Sequence, residues 1–257
     1  MKNSLEIKHE RSVKQGQVWK LGDHRLLCGN ACDEKLVTSF LSSANIQAIV
    51  TDPPYGVSYA ENKTNVGTPK VNKVILNDNI SSESEYREFS KKWLLPVIPR
   101  LARKNSIYIF NSDKMLFTLR NALDDVGIFF SQLVIWVKSQ AVIGRKDYMP
   151  QHELILFGWY GTHAFRRSKD KSILCYPKPN SSSLHPTMKP VPLVAHLIMN
   201  STSIGDAVYD PFGGSGTTLI ACEQTKRRCF MVEEDLEYCR TIIARWEHVT
   251  SLKAEKI

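Results

Sequence analysis

Short apolar runs alternate along the chain with segments whose apolar residues recur every three or four positions. This is the rhythm of strands buried on both faces and separated by amphipathic helices. Strands are predicted at 24–28, 48–51, 106–110, 131–137, 153–158, 207–210 and 228–232. Helices are predicted between them at 33–41, 83–101, 114–125, 190–201, 216–225 and 235–249, the second interrupted near Pro96 and Pro99. Asp33 and either Ser112 or Asp113 read as N-caps, and Gly127 as a helix stop. Alternation of this kind predicts an α/β fold, a seven-stranded, mostly parallel sheet with helices on both faces.

Two stretches break the rhythm. Residues 59–79 form a polar loop directly after Asp52-Pro53-Pro54-Tyr55, and 161–183 is rich in Arg, Lys, Ser and Pro with little periodicity. Loops this long inside a compact domain tend to be functional or disordered. No internal repeat or low-complexity tract is present.

Composition changes this picture little. At 257 residues the chain suits one large domain or a medium and a small one, and it is long enough to bury a core. No run approaches the roughly 18 apolar residues of a membrane helix, and the N-terminal stretch lacks the apolar core of a signal peptide, so a cytoplasmic location is expected. Cysteines at 28, 32, 175, 222, 229 and 239 form no Cys-x-x-Cys pair and have no zinc-type histidine spacing; they read as free thiols, with no metal expected.

Charge adds more. The net +8 and pI near 9.1 suit a polyanionic partner, and the basic residues are grouped. Lys63, Lys70 and Lys73 share one loop, Arg145 and Lys146 a second, and Arg166, Arg167, Lys169 and Lys171 a third. A solvated loop accounts for any one of these alone. Three of them around a site the size of a nucleobase point to phosphate contacts.

Two strings carry candidate chemistry. Residues 210–218 read Asp-Pro-Phe-Gly-Gly-Ser-Gly-Thr-Thr between a predicted strand and a predicted helix, the layout of a nucleotide-binding turn, where glycines let the backbone approach a ligand and the helix offers its first amides. The Gly-Lys-Ser/Thr ending of a triphosphate loop is absent. About twenty positions later Glu233 ends the next predicted strand, where an acid in such folds holds a ribose hydroxyl pair. The combination suits an adenosine-bearing cofactor; the structural alternative is a plain tight strand-to-helix connection.

The other string is Asp52-Pro53-Pro54-Tyr55. An exocyclic amine on a nucleobase is a poor nucleophile because its lone pair is delocalised into the ring. Two acceptors drawing on its hydrogens localise that pair, and the Asp52 carboxylate with the Pro53 carbonyl can supply them. The prolines fix the local backbone and Tyr55 can stack on the base. An ordinary Pro-Pro turn capped by Asp is the alternative. Paired carboxylates for hydrolysis need a second acid beside Asp52, and none is obvious in the sequence.

Taken together, these strings resemble the amino-methylating DNA methyltransferases that use S-adenosylmethionine, closest to adenine methylases of the phage and restriction-modification type. The resemblance runs from about Gly16 to Val249. It is carried by Leu26-Leu27-Cys28-Gly29-Asn30-Ala31, Asp52-Pro53-Pro54-Tyr55, Trp136-Val137-Lys138, His185-Pro186-Thr187-Met188-Lys189-Pro190, the 210–218 loop and Val232-Glu233-Glu234-Asp235. It implies a Rossmann-like class I methyltransferase fold with one inserted antiparallel strand. It also implies the circularly permuted order of the beta subgroup, in which the catalytic string precedes the glycine loop. RNA and protein amino-methylases with similar strings usually have the loop first.

The resemblance further implies one catalytic domain over 16–257 after an N-terminal extension, 1–15, with 57–80, 139–152 and 161–183 as DNA-contacting insertions. Catalysis would fall to Asp52, Pro53, Pro54 and Tyr55. The cofactor pocket would comprise Asn30, Ala31, Asp52, Thr187, Lys189, Asp210, Phe212, Gly213, Gly214, Ser215, Gly216, Thr217, Glu233 and Glu234. Asp210, Phe212, Gly213 and Gly216 would take the methionine side, Thr187 and Lys189 the cofactor carboxylate, and Asn30 the adenine, where many relatives have Asp. Lys138 would line the target-base pocket, or else is an ordinary strand-end lysine.

Asp rather than Ser in the first position of the catalytic string suggests adenine N6 as acceptor, with cytosine N4 the alternative. An RNA amino-methyltransferase and a non-catalytic DNA-binding subunit are the further alternatives. The implied partners are double-stranded DNA, a second copy of the chain and a cognate restriction endonuclease, with no membrane. The short 161–183 segment suggests a short or loosely read target sequence.

Overall fold

A computed structural model describes residues 12–54, 82–141, 147–163, 165–166, 170–178 and 188–257. Tyr55, Lys63, Lys70, Lys73, Arg145, Lys146, Arg167 and Thr187 lie outside the described residues, as do loop 57–80 and most of the N-terminal extension. Eleven strands occur among the described residues: β1 (Val18–Leu21), β2 (His24–Cys28), β3 (Ile46–Thr51), β4 (Leu101–Asn111), β5 (Ile128–Val137), β6 (His152–Tyr160), β7 (Thr162–His163), β8 (Ile173–Cys175), β9 (Ala207–Asp210), β10 (Arg228–Glu233) and β11 (Glu255–Lys256).

They lie in the order β11-β1-β2-β10-β9-β3-β4-β6-β5-β8, with β7 beside β4. From β2 through β10, β9 and β3 to β4 every neighbour is parallel, while β6 runs antiparallel to both β4 and β5. The carboxyl ends of the parallel strands therefore share one edge with the beginning of β6, and this edge carries the residues of chemical interest.

The seven predicted strands are all present, and four more join them: β1, β7, β8 and β11. β7 and β11 are two residues each and fully exposed, so no apolar pattern marks them. β4 starts at Leu101 rather than 106: Arg103 and Lys104 are exposed beyond the core, and Lys104 and Asn105 pair with β7.

Among the described residues six helices cover the sheet: α1 (Glu34–Phe40), α2 (Glu83–Leu94), α3 (Leu116–Asp125), α4 (Val191–Ser201), α5 (Thr217–Thr225) and α6 (Leu236–Thr250). The helix expected over 83–101 stops at Leu94, and only a single 3₁₀ turn, Ile98–Arg100, follows, since Pro96 and Pro99 each lack the N–H that a longer helix needs. α1 begins as expected, with the Asp33 carboxylate accepting from Leu36 N at 3.0 Å. Neither Ser112 nor Asp113 caps α3, whose N-cap is Met115 with no side-chain hydrogen bond.

Alternation within the strands explains the two layers. Val50, Tyr108, Phe110, Trp136 and Val208 face one core with Leu193, Leu219 and Ile242 from α4, α5 and α6. Ile49, Ile107, Ile109 and Tyr209 face the other with Val37, Tyr86, Trp93 and Leu119 from α1, α2 and α3. A central parallel strand buried on both faces must be apolar at nearly every position, which is why these strands were visible as unbroken runs.

Candidate active site

β9 and β10 bring the glycine loop to the carboxyl edge. Asp210, the last residue of β9, is buried; its Oδ1 accepts from Thr51 Oγ1 at 2.8 Å and from Phe212 N at 3.1 Å. This bond to Thr51 ties the loop to the residue just before Asp52. The loop then folds back on β10, with Gly213 N donating to Val232 O at 2.9 Å. A side chain at 213 would meet Met231 Sδ at 2.7 Å, and Gly216, the N-cap of α5, has φ +80°, a conformation that favours glycine. Phe212 packs edge-on against Trp93, with ring centres 5.5 Å apart.

Glu233 stands at the end of β10 with both oxygens engaged: Oε2 accepts from Gly214 N at 2.6 Å and Oε1 from Asp235 N at 2.8 Å. Its neighbour Glu234 accepts from Asn30 Nδ2 at 3.0 Å, while Asn30 Oδ1 accepts from Cys32 N at 2.7 Å, so the amide's orientation is set by a backbone donor. Ala31 and Thr217 are buried, and Ser215 O receives Arg245 Nη1 at 2.9 Å. Burial pushes the Asp210 and Glu233 carboxyls up to about 7 each, against the opposing hydrogen bonds they accept.

Asp52 follows β3, with Pro53 and Pro54 after it. Its carboxylate is paired with the ammonium of Lys189, which stands immediately before Pro190, the N-cap of α4. The same ammonium lies 3.1 Å from Glu153 Oε2 and 5.1 Å from the centre of the Phe110 ring. Glu153, the second residue of β6, places its other oxygen 2.8 Å from Lys138 Nζ, and that ammonium sits 5.3 Å from the Trp136 ring. The four side chains thus form an alternating row, Asp52, Lys189, Glu153 and Lys138, across the sheet from β3 to β5. Lys189 spans β4 by lying over Phe110.

Burial raises the proton affinity of Asp52 in spite of Lys189. At Glu153 burial pulls the same way, but Lys189 and Lys138 together outweigh it and hold the carboxyl below its ordinary range. Lys189 is held firmly protonated: burial disfavours its charge, and the two carboxylates more than compensate.

The ammonium of Lys189, a residue that the resemblance places by the cofactor carboxylate, is engaged by Asp52 and Glu153. Lys138 is not a loose strand-end lysine, since its side chain is 7% exposed and committed to Glu153. A second acid near Asp52 does exist, in Glu153, but Lys189 lies between the two and neutralises both, which is not the arrangement of a hydrolytic carboxylate pair. The signal for Glu153 was an acid opening the apolar strand 153–158, since a charge beside a buried run is seldom unpaired.

Arg166 is not brought to this edge. Its N–H donates to Asn200 O at 2.6 Å and its guanidinium lies 4.0 Å from Asp206, which precedes β9 and so marks the opposite end of the strands. β7, just before it, pairs with Lys104 and Asn105 at the start of β4. β8 runs toward the carboxyl edge, where its Cys175 aligns with Val137. The start of 161–183 therefore faces away from the site.

Known proteins resemble this chain in sequence and in fold. A family model described as DNA methylase matches residues 46–244. The Type II methyltransferase M.HpaI of Haemophilus parainfluenzae is 29% identical over 241 residues, covering 84% of this chain and 72% of that protein. A crystal structure of M1.HpyAVI in complex with SAM superposes with a TM-score of 0.63 at 23% identity, over 86% of this chain and 98% of that one. The PvuII DNA methyltransferase, a cytosine-N4-specific enzyme, does so with a TM-score of 0.66 at 17% identity, over 88% and 89%.

Proposed function

We propose that this chain, which belongs to the DNA methylase family, transfers the methyl group of S-adenosylmethionine to the N6 amino group of adenine in double-stranded DNA. The observation that carries the reading is the junction of the two motifs. Thr51 Oγ1 donates to Asp210 Oδ1 at 2.8 Å, so an amine acceptor and a nucleoside-binding loop lie side by side on one sheet edge.

The residues present suit the cofactor. Glu233 is oriented by two backbone N–H groups, from Gly214 and Asp235, and a carboxylate so held retains lone pairs for a ribose hydroxyl pair. The glycine loop carries no lysine, which suits a ligand without phosphates. Asp210, Phe212, Gly213 and Gly216 form the wall assigned to the methionine portion, with Asn30 and Glu234 toward the adenine. When bound, the cofactor supplies an electrophilic methyl group.

Catalysis then rests on the chain's own acceptors. The target base is turned out of the duplex, at a cost of a few kcal/mol, and stacks on Tyr55. The Asp52 carboxylate and the Pro53 carbonyl accept hydrogen bonds from its two amine hydrogens, which localises the nitrogen lone pair for attack on the methyl carbon as the methyl–sulfur bond breaks; one of the two N–H protons then leaves to solvent and the other stays on the methylated amine. Most of the rate comes from holding the reactants in line. Asp in the first position of the catalytic string supports adenine, while the same chemistry applies to the exocyclic amine of cytosine. Incubating the full chain with the cofactor and unmethylated DNA, then resolving the digested nucleosides by mass spectrometry, is expected to yield N6-methyladenine. N4-methylcytosine would overturn the choice of base, and an unmodified digest the activity.

Cofactor binding should depend on pH through Glu233. The ionised carboxylate is the better acceptor for ribose hydroxyls, so affinity is full above about 7 and weakens as the pH falls through it. Without ligand the sign is the reverse: the folded state binds this proton more tightly than the unfolded one, so that contribution to stability is lost between about 4.5 and 7 as the pH rises. Calorimetric titration at pH 6 and 8 is expected to show about fivefold to tenfold tighter binding at pH 8. Glu233→Gln should bind more weakly and lose most of the difference; an unchanged slope would remove Glu233 from the pocket.

A further inference from the structure

Glu153 has no place in the proposed chemistry, yet it is the member of the charged row that touches both lysines. It lies 3.1 Å from Lys189 Nζ and 2.8 Å from Lys138 Nζ, and its side chain is 27% exposed. Among the described residues the ionisable groups that act on Asp52 come from several elements. They include Lys189 before α4, Glu153 on β6, Lys138 after β5, Tyr86 on α2 and Asp210 on β9.

Lys189 is the strongest of the charges opposing the effect of burial on Asp52. Bound to Asp52 alone, this ammonium would draw electron density from the carboxylate and compete with an amine for it. Bound also to Glu153, it divides its attraction between two anions. The antiparallel direction of β6 is what allows this, since it presents the strand's second residue at the edge where its parallel neighbours end.

We propose that Glu153 is a positioning residue of this site, sharing the Lys189 ammonium with Asp52 and so setting how strongly the Asp52 carboxylate accepts the hydrogens of the target amine. This rests on the amine-methylation reading above. Removing Glu153 alone would strand Lys138 in a buried position, so the informative variant is the double substitution Glu153→Gln with Lys138→Met. It removes the pair together and leaves Lys189 to Asp52.

The test has two readouts in the full-length chain. The first is the Asp52 titration midpoint, followed by carboxyl ¹³C resonances in protein labelled at aspartate, with no cofactor present and with Asp52→Asn identifying the signal. Loss of the pair is expected to lower the midpoint, because Glu153 raises the proton affinity of Asp52 by more than Lys138 lowers it and the Lys189 cation is then undivided. The second is steady-state methyl transfer to DNA, where kcat is expected to fall about tenfold while cofactor KM changes less than about twofold. A midpoint that does not move, in a folded variant of an active wild type, overturns the inference alone. A wild type that transfers no methyl group to DNA overturns the reading beneath it as well.

Discussion

Replacing Asp52 by alanine is expected to lower methyl transfer to DNA by about a thousandfold or more, while the chain remains folded and still binds the cofactor. The magnitude follows from losing a charged acceptor aimed at the group whose electron distribution changes in the transition state. Folding should survive because Lys189 keeps Glu153 as a partner at 3.1 Å, so the ammonium is not left alone in a buried position. Cofactor binding should survive because Glu233 is held by Gly214 and Asp235 rather than by Asp52. Labelled-methyl transfer with unmethylated DNA, beside a thermal melt and a cofactor titration, separates these quantities. Full transfer by the variant would remove Asp52 from the mechanism. Asp52→Asn should retain the shape but stay far below wild type, since an amide oxygen is a weaker acceptor than a carboxylate and the amide nitrogen is only a donor.

Lys189→Met should have the largest effect on stability, about 3 kcal/mol. Breaking a buried ion pair by removing one partner typically costs about 3 to 5 kcal/mol, and the lower end applies because the Asp52 and Glu153 side chains are each 27% exposed. In the variant those two carboxylates lose the cation between them, and Lys138 alone remains beside Glu153. Their proton affinities rise in the folded state above those of the unfolded chain. The variant is therefore most stable when a carboxylate is protonated and loses that contribution as the pH rises. Urea unfolding at pH 5.5 and 8 should therefore show a deficit that is larger at pH 8. An equal deficit at both values would mean that the loss is one of packing against Phe110 rather than of charge. Lys138→Met should cost less, since Glu153 would retain Lys189.

How much of this was legible in the sequence depended on the range of the interaction. β3, β9 and β10 were visible because a strand buried on both faces is apolar at nearly every residue, and Asp52, Asp210 and Glu233 stood out as acids ending such runs. The reach of a strand past its core was not visible: Arg103 and Lys104 read as loop, although they extend β4. β11 has no apolar pattern to betray it and exists only through its backbone pairing with β1. The charged row was hidden for a different reason. Asp52 and Lys189 are 137 positions apart, and nothing local to either marks the other. Lys189 was recognised from its surrounding string, which directs attention to a ligand and away from a side-chain partner. Arg166 was misplaced because a cluster of basic residues carries no sign of which end of a sheet it occupies.

The central position of β9 and β10, between β2 and β3, has a consequence for the order of assembly. Thr51 and Asp210 meet across 159 positions of sequence, and Asn30 and Glu234 across 204. A growing polypeptide that has passed β6 possesses the amine acceptor but has nothing to pair with the inner edges of β2 and β3. Closing such long loops makes late pairing slow. With Glu233 in the proposed role, methyl-donor binding would arise only after that residue has left the ribosome, so an abortive translation product ending before β9 would carry Asp52 with no means of using it.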